Sequence, residues 1–164
     1  MPTETESRQH TCCFTGHRPE KVGYAEDIVI EKLDDAISSA IKDGYDTFIT
    51  GMARGVDIGA AELVLKYRDN GALANLICAC PFDGFETSWK KEWQDRYNAI
   101  LQKANQVSYI SESYSKSCFQ ERNKWMVDRS NLVIAVYNGE SGGTRNTIKY
   151  AEKHGIKINN VLDL

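Results

Sequence analysis

A glycine-rich segment, YNGESGGT (137–144), directly follows the apolar run NLVIAVY and combines small residues with hydroxyl groups. Glycines allow the backbone to approach a ligand and to direct N–H groups at it. A helix that begins here would add the partial positive charge of its N-terminus, which favours a bound anion. The segment lacks both the G-x-G-x-x-G pattern and a P-loop lysine, so by itself it also fits a tight turn without a ligand. The candidate anion-binding residues are Gly139, Ser141, Gly142, Gly143 and Thr144.

Two further segments combine glycine with a cationic side chain. TGMARGVD (50–57) places Arg54 between two glycines, just before a predicted helix, and TGHR (15–18) follows the first apolar run. The guanidinium group of arginine matches the geometry of phosphate oxygens, whereas a single surface arginine is commonly only solvated. The candidate phosphate-binding residues in these segments are Gly16, His17, Arg18, Gly51, Arg54 and Gly55.

Other side chains could contact the rest of a ligand. His17 has a usual pKa near neutrality and could act as a general base, although a hydrogen-bonding or structural role is commoner. The aromatic rings of Phe82, Phe85, Trp89 and Trp93 could stack on a base, and all but Trp93 lie close to the predicted binding edge. Trp89 also belongs to an apolar stripe with helical spacing, which is typical of a core-facing surface.

The apolar periodicity predicts alternating strands and helices after a disordered lead-in at residues 1–10. The predicted strands cover 11–15, 46–50, 75–80, 106–110, 131–137 and 157–162. The predicted helices cover 26–43, 56–69, a segment capped by Ser88, a segment from a Ser117–Gln120 capping box to about Arg129, and 143–154. This alternation is typical of a single Rossmann-like α/β domain over residues 11–164, with three layers, a mostly parallel sheet and helices on both faces.

In such sheets, ligands bind beyond the carboxyl ends of the strands, near the point where the strand order reverses. The candidate segments follow predicted strands, Arg122 lies one turn into the helix before the fifth strand, and Arg145 follows the last glycine loop. Together with Arg18 and Arg54, these arginines gather at one edge of a chain whose net charge is −3. Their shared location favours a small ligand that carries phosphate.

The composition argues against several other classes of function. No apolar run approaches the roughly 18 residues that span a bilayer, and the polar N-terminus fits neither a signal peptide nor a transit peptide. We therefore expect a cytoplasmic protein with no membrane partner. The net charge disfavours a broad face for duplex DNA. We expect the five cysteines to be buried, reduced thiols and expect no metal or cofactor, while self-association into a homo-oligomer stays open.

Four segments, CCFTGHRPEK, FITGMARGVDIGAAELVL, CPF and ERNKWMVDRSNLVIAVYNGESGGTRNTIKYA, together resemble the YpsA family of the SLOG superfamily. The resemblance covers about residues 11–160. It implies a Rossmann-like nucleotide-ligand binder from a bacterial or phage setting. TGMARGVD and RNKWM are also similar to segments of the DprA family, which binds single-stranded DNA. That similarity implies phosphate contacts for Arg54 and Arg122 and places Asn123 beside them.

YNGESGGTRNT is similar to the P-G-G-x-G-T-x-x-E signature of the LOG family of cytokinin-activating phosphoribohydrolases. Gly143 and Thr144 match the G-T pair of the signature, and Arg122 matches the family's catalytic arginine. Thr147, however, stands at the position of the catalytic glutamate, and Asn123 stands at the position of a lysine.

Cleavage of an N-glycosidic bond normally needs a carboxylate, so the threonine counts against hydrolysis of the LOG type. Glu121 or Glu140 could substitute, but nothing in the sequence requires either. The sequence therefore predicts a sensor or regulatory module that binds a nucleoside phosphate or an ADP-ribose derivative, with no catalytic residue assigned. The alternatives are a nucleotide-processing enzyme of the phosphoribohydrolase or N-glycosidase type and a DprA-like protein that binds single-stranded DNA.

Overall fold

A computed structural model describes residues 3–162, and strands alternate with helices from the first strand onward. The strands are β1 (Thr11–Gly16), β2 (Thr47–Thr50), β3 (Asn75–Cys80), β4 (Gln106–Tyr109), β5 (Leu132–Val136) and β6 (Lys157–Asn160). The helices are α1 (Glu4–Gln9), α2 (Pro19–Val22), α3 (Glu26–Lys42), α4 (Val56–Asp69), α5 (Lys91–Lys103), α6 (Cys118–Asp128) and α7 (Gly143–Lys153). None of the helices in this part of the chain has the length and apolar character needed to cross a membrane.

The six strands form one sheet in the order β4-β3-β2-β1-β5-β6, and every neighbouring pair is parallel. The chain starts at the centre with β1, moves outward to β4, and then crosses to the other side of β1 to form β5. The strand order therefore reverses between β1 and β5, where Gly16 pairs with Val136 at the carboxyl ends. This is the place where an open parallel sheet leaves a crevice for a ligand.

Alternate residues of the strands supply two cores, one on each face of the sheet. Phe14 of β1 packs with residues of α3, α4 and α5, whereas Cys13, its neighbour in the chain, packs with residues of α6 and α7. All five cysteines are buried free thiols, as predicted. Burial raises the pKa of Cys13 to about 12, so this thiol stays protonated near neutral pH. The predicted fold class, a three-layer α/β domain with helices on both faces, is confirmed.

The structure places a short helix, α1 (Glu4–Gln9), within the lead-in that the sequence predicted to be disordered. Thr3 and Glu6 form a capping box: the Thr3 hydroxyl accepts the N–H of Glu6, and the Glu6 carboxylate accepts the N–H of Thr3. The T-x-x-E pattern that forms this box is visible in the sequence. Residues 1 and 2 lie outside the described part of the chain.

The two predicted helix caps have different outcomes. The cap predicted at Ser88 is wrong, because α5 starts at Lys91 with Lys90 as its N-cap residue. Ser117 is the N-cap residue of α6, as predicted, but the capping box does not form. The backbone angles of Ser117 are helical, and its hydroxyl donates to the side chain of Glu121 and not to the backbone.

Candidate functional site

A cleft of about 350 Å³ opens at the carboxyl ends of β1 and β5. It lies between the loops that follow β1, β2 and β5 and the first turns of α6 and α7. The predicted site residues that line it are Gly16, His17, Arg18, Arg54, Trp89, Arg122, Asn123, Gly142, Gly143 and Thr144. Phe85, whose ring was also expected near the binding edge, lines the cleft, whereas Trp93 does not. Lining residues that the sequence did not single out as candidates are Phe14, Thr15, Lys21, Ala53, Asp57 and Phe119.

The N-terminus of α7 faces this cleft through Gly142, Gly143 and Thr144. Gly142 is the N-cap residue, and with a φ of 143° it adopts a backbone conformation that residues with a side chain rarely take. No side chain caps the helix there, and its first turn contains no acidic residue. The first N–H groups of α7 and the positive end of its dipole are therefore available to an anion.

Gly139 and Ser141 are exposed and do not line the cleft. Gly139, with a φ of 96°, forms part of the turn between β5 and α7. Arg145, although it follows the glycines directly, is exposed and also lies outside the cleft wall. The predicted glycine loop therefore contributes its second half to the site, and its first half shapes the turn.

Arg122 of α6 is a buried cation in the cleft wall, with only 6% of its surface exposed. Its guanidinium donates to the carbonyl oxygen of Gly51, and its Nε donates to Asn123 Oδ1 at 2.7 Å. A Cβ atom at Gly51 would lie 3.0 Å from the guanidinium. Gly51 itself does not line the cleft. Because it has no side chain, it leaves room for the guanidinium of Arg122, which does line the cleft.

Asp57 lies at the start of α4 and is also buried, with 7% of its surface exposed. Its Oδ2 accepts the N–H of Ala53 at 3.2 Å, and its own carbonyl oxygen accepts the hydroxyl of Thr50 at 2.8 Å. Its Oδ1 has no hydrogen-bond partner among residues 3–162. Burial raises the pKa of Asp57 to about 6, against the opposing effects of the Arg122 charge and the Ala53 N–H.

Two more cations, Arg18 and Lys21, are exposed and line the cleft, and Arg54 lines it from the loop after β2. Arg54 forms an ion pair with Glu20 at 2.8 Å. Gly55 does not line this cleft, because it packs against Pro19, where a Cβ atom would lie 2.8 Å from the proline Cδ.

His17 connects the two central loops. Its backbone N–H donates to the Val136 carbonyl at 3.3 Å, and its Nε2 lies 3.3 Å from the N–H of Asn138. Since this contact needs an unprotonated Nε2, we assign the ring as neutral, with its proton on Nδ1. Burial lowers the pKa of His17, which favours the same neutral form. This geometry supports the structural interpretation of His17 over the role of a general base.

Aromatic rings form the wall of the cleft opposite the glycines. Phe85 lies 4.9 Å from Trp89 and 5.7 Å from Phe119 between ring centroids, and all three line the cleft. Trp89 also packs at 5.4 Å against the buried ring of Tyr97, so it belongs to both the core stripe and the cleft. Phe82 supports Phe85 and Phe119 from behind and does not line the cleft. Phe119, by contrast, is 37% exposed, which leaves part of its ring open to a ligand.

The residue at the position of the LOG glutamate does not face the cleft. Thr147 is buried, and its hydroxyl donates to the Gly143 carbonyl at 2.9 Å. Glu121 accepts from the hydroxyls of Ser111 and Ser117, and it does not line the cleft. Among the described residues that line the cleft, the one carboxylate is Asp57.

Comparison with known proteins agrees with this architecture. The YpsA family model, described as the YspA SLOG family, matches residues 12–162. The SPbeta prophage-derived protein YoqJ of Bacillus subtilis is 30% identical over 139 residues, which cover 74% of this chain and 81% of that protein.

Two solved structures of DNA processing protein A share the fold. The protein from Streptococcus pneumoniae is 16% identical with a TM-score of 0.66, and the match covers 94% of this chain and 52% of that one. The protein from Helicobacter pylori, described by its mode of binding single-stranded DNA, is 19% identical with a TM-score of 0.62, and the match covers 94% and 66%. This chain therefore spans about half to two thirds of those proteins.

Proposed function

The chain belongs to the YspA SLOG family, and from this premise we propose that its cleft binds a small nucleotide-like ligand that carries phosphate. The ligand is a nucleoside phosphate or an ADP-ribose derivative, and the protein acts as a sensor or regulatory module. The observation that carries the proposal is the position of the uncapped N-terminus of α7, which opens into the same cleft as four cationic side chains and an aromatic wall.

The phosphate is assigned to the side of the cleft formed by α7. Helix N-termini bind anions through free N–H groups and the helix dipole, and this helix has eleven residues. Arg18 and Lys21 are exposed in the same cleft and can move toward a phosphate without leaving a buried partner. Arg122, held by its bond to Gly51, adds a fixed positive charge.

The base is assigned to the aromatic wall. Base–aromatic stacking tolerates any base, because every base has a π-face. Phe119 and Trp89 each present part of a ring to the cleft. A volume of about 350 Å³ lies at the lower end of the range for small-molecule sites, which favours a mononucleotide-sized group within the cleft.

Thermal shift and titration calorimetry with AMP, ADP, ADP-ribose and adenosine test this proposal. Ligands that bind only the folded state raise the melting temperature, so the three phosphate-bearing compounds should raise it and adenosine should have a smaller effect. Arg18→Ala should weaken the binding of ADP by roughly tenfold to a hundredfold, the usual value of a charge-assisted hydrogen bond.

Arg145→Ala is the matched control, because Arg145 is an exposed arginine on α7 that does not line the cleft. It should leave affinity unchanged. The proposal fails if none of the phosphate compounds raises the melting temperature, or if both arginine variants weaken binding equally. Analysis of the same incubations by chromatography tests the enzymatic alternative, since release of free base or ribose phosphate would identify an N-glycosidase.

We also propose a bacterial, cytoplasmic setting. The relative from Bacillus subtilis supports the bacterial part. Five buried thiols without a disulfide fit a reducing compartment, which supports the cytoplasmic part.

A further inference from the structure

We propose that Asp57 accepts a hydrogen bond from a ribose hydroxyl of the bound ligand and thereby makes the cleft selective for ribonucleotides over deoxyribonucleotides. This inference rests on the nucleotide-binding function proposed above and assigns the sugar to a particular residue. The family resemblance and the glycine loops concern phosphate, and neither assigns a role to this carboxylate.

The first argument is the unpartnered oxygen of a buried carboxylate. Asp57 lines the cleft, and only 7% of its surface is exposed. Oδ2 is occupied by the Ala53 N–H, whereas Oδ1 has no partner within the described residues. Nearly all buried polar atoms in native proteins have a hydrogen-bond partner, so an atom without one indicates a missing donor. A bound ligand can supply that donor after a small movement of the carboxylate, because Asp57 lines the cleft while Oδ1 itself is buried.

The second argument concerns the charge of that donor. Arg122 already provides a buried positive charge that acts on the carboxylate of Asp57, and Arg18, Lys21 and Arg54 line the same cleft. These cations disfavour a second cation, including a metal ion, at Oδ1. A phosphate group is repelled by the carboxylate itself. The cleft cations exclude a cationic donor, and the carboxylate excludes a phosphate, but neither excludes a neutral hydrogen-bond donor. The two free hydroxyl groups of a ribose are donors of this kind.

The third argument is the placement of the two ends of the site. Asp57 follows β2, on one side of the central strand β1, and the N-terminus of α7 follows β5, on the other side. Two strand spacings separate β2 from β5, which is about 10 Å. A sugar phosphate with a hydrogen bond at each end spans such a distance. A phosphate bound at α7 therefore directs its sugar across the end of β1, toward Asp57.

The test is calorimetric titration of the full chain with AMP, 2′-deoxy-AMP and 3′-deoxy-AMP. A site built to hydrogen-bond a hydroxyl discriminates strongly against the analogue that lacks it, because its own buried polar group is then left unpaired. We expect at least one deoxy analogue to bind the wild-type protein at least about tenfold more weakly than AMP. The identity of the weaker analogue shows which hydroxyl contacts the carboxylate.

Asp57→Asn keeps the size of the side chain and an oxygen for the Ala53 N–H, but it removes the charged acceptor. In this variant the preference for AMP should fall to about threefold or less, because hydrogen bonds to charged groups are roughly twice as strong as neutral ones. Asp35→Asn, an exposed residue on α3, makes the same change of net charge outside the cleft and should keep the wild-type preference.

If AMP and both deoxy analogues bind the wild-type protein equally, the role of Asp57 is overturned while nucleotide binding stands. If none of the three binds and ADP and ADP-ribose also fail, the proposed function itself is overturned. A preference for AMP that persists unchanged in Asp57→Asn would also overturn the role of Asp57. Equal binding of the three compounds by the wild-type protein overturns it even if Asp57→Asn does not fold.

Discussion

At the scale of single residues, Asp57 and Arg122 are the two charged side chains buried in the cleft wall. Burial acts against the charge of each one: it raises the pKa of Asp57 and lowers the pKa of Arg122. The positive charge of Arg122 partly opposes the rise in the pKa of Asp57, and the negative charge of Asp57 partly opposes the fall in the pKa of Arg122. The pair therefore exists at a cost in folding free energy, which is the usual sign of a group retained for binding and not for stability.

This cost predicts a specific pH dependence. Burial raises the pKa of Asp57 from its usual value of 3.8, which applies to the unfolded chain, to about 6 in the folded protein. The folded state therefore binds the proton more tightly than the unfolded state. The stability gained from this proton is present below about pH 4 and is lost as the pH rises through about 6. A difference of about two pH units corresponds to roughly 3 kcal/mol.

Asp57→Asn removes this titration. The free energy of unfolding of the wild-type protein, relative to that of the variant, should therefore fall by roughly 2.5 kcal/mol between pH 4 and pH 8, measured by urea denaturation. Asp35→Asn leaves the Asp57 carboxyl group in place and should therefore keep this fall. Parallel profiles for the wild-type protein and Asp57→Asn would show that the carboxyl group has no raised pKa in the folded state.

Residue types alone identified part of the site. Glycines and arginines that follow strands have a recognisable chemistry, and Gly16, Arg18, Arg122 and the Gly142–Thr144 segment lie together as expected. The role of Asp57 could not be recognised in this way, because an aspartate at the start of a helix is common and its free oxygen exists only after packing. Phe119, in the first turn of α6, was likewise not recognised, because its place in the cleft wall beside Phe85 follows from packing and not from its residue type.

At the scale of elements, the floor of the cleft depends on close contact between the end of β1 and the start of α4. A Cβ atom at Gly16 would lie 2.6 to 2.7 Å from three side-chain carbons of Val56. Valine is branched at Cβ and cannot turn this part of its side chain away. A larger residue at Gly16 therefore forces the two elements apart.

Gly16→Ala should lower the free energy of unfolding by about 1–3 kcal/mol, the usual cost of overpacking. Gly143→Ala is the matched control, because Gly143 is the first residue of α7 and has open space around its Cβ position. That control should be neutral or stabilising by up to about 1 kcal/mol, since alanine favours helix more than glycine does. Equal unfolding curves for the two variants, measured in urea, would contradict the close contact.

The elements themselves were largely predictable from the sequence, for a physical reason. Strands buried on both faces are continuous apolar runs, and β3 begins and ends at the predicted residues. The start of α6 directly after Ser117 was predictable. The start of α5 was not predictable from Ser88, because a capping residue type is common in loops as well. The short helix α2 carries Pro19 at its first position but has only four residues, too few for a periodic pattern.

At the scale of the whole molecule, the topology concentrates positive charge at one place on an acidic chain. The net charge is −3, yet Arg18, Lys21, Arg54 and Arg122 all line one cleft. They come from three separate segments, and the reversal of strand order between β1 and β5 brings those segments together. We expect the resulting field to attract a small anion over a short distance and the acidic remainder of the surface to oppose a long one.

This arrangement separates nucleotide binding from the binding of single-stranded DNA, the property described for the Helicobacter pylori protein of the same fold. Each phosphate contact with a single strand contributes a slope of about −0.7 to the dependence of log K on log salt concentration, so four cations allow a slope of roughly −3. A labelled 20-nucleotide thymidine strand should therefore bind no more tightly than ADP at 150 mM salt and should show a slope of about −3 or shallower, measured by fluorescence anisotropy.

Arg18→Ala should reduce the slope by about 0.7, and Arg145→Ala should leave it unchanged. A slope steeper than about −5 would require a basic surface that extends well beyond the cleft, and it would favour DNA as the ligand.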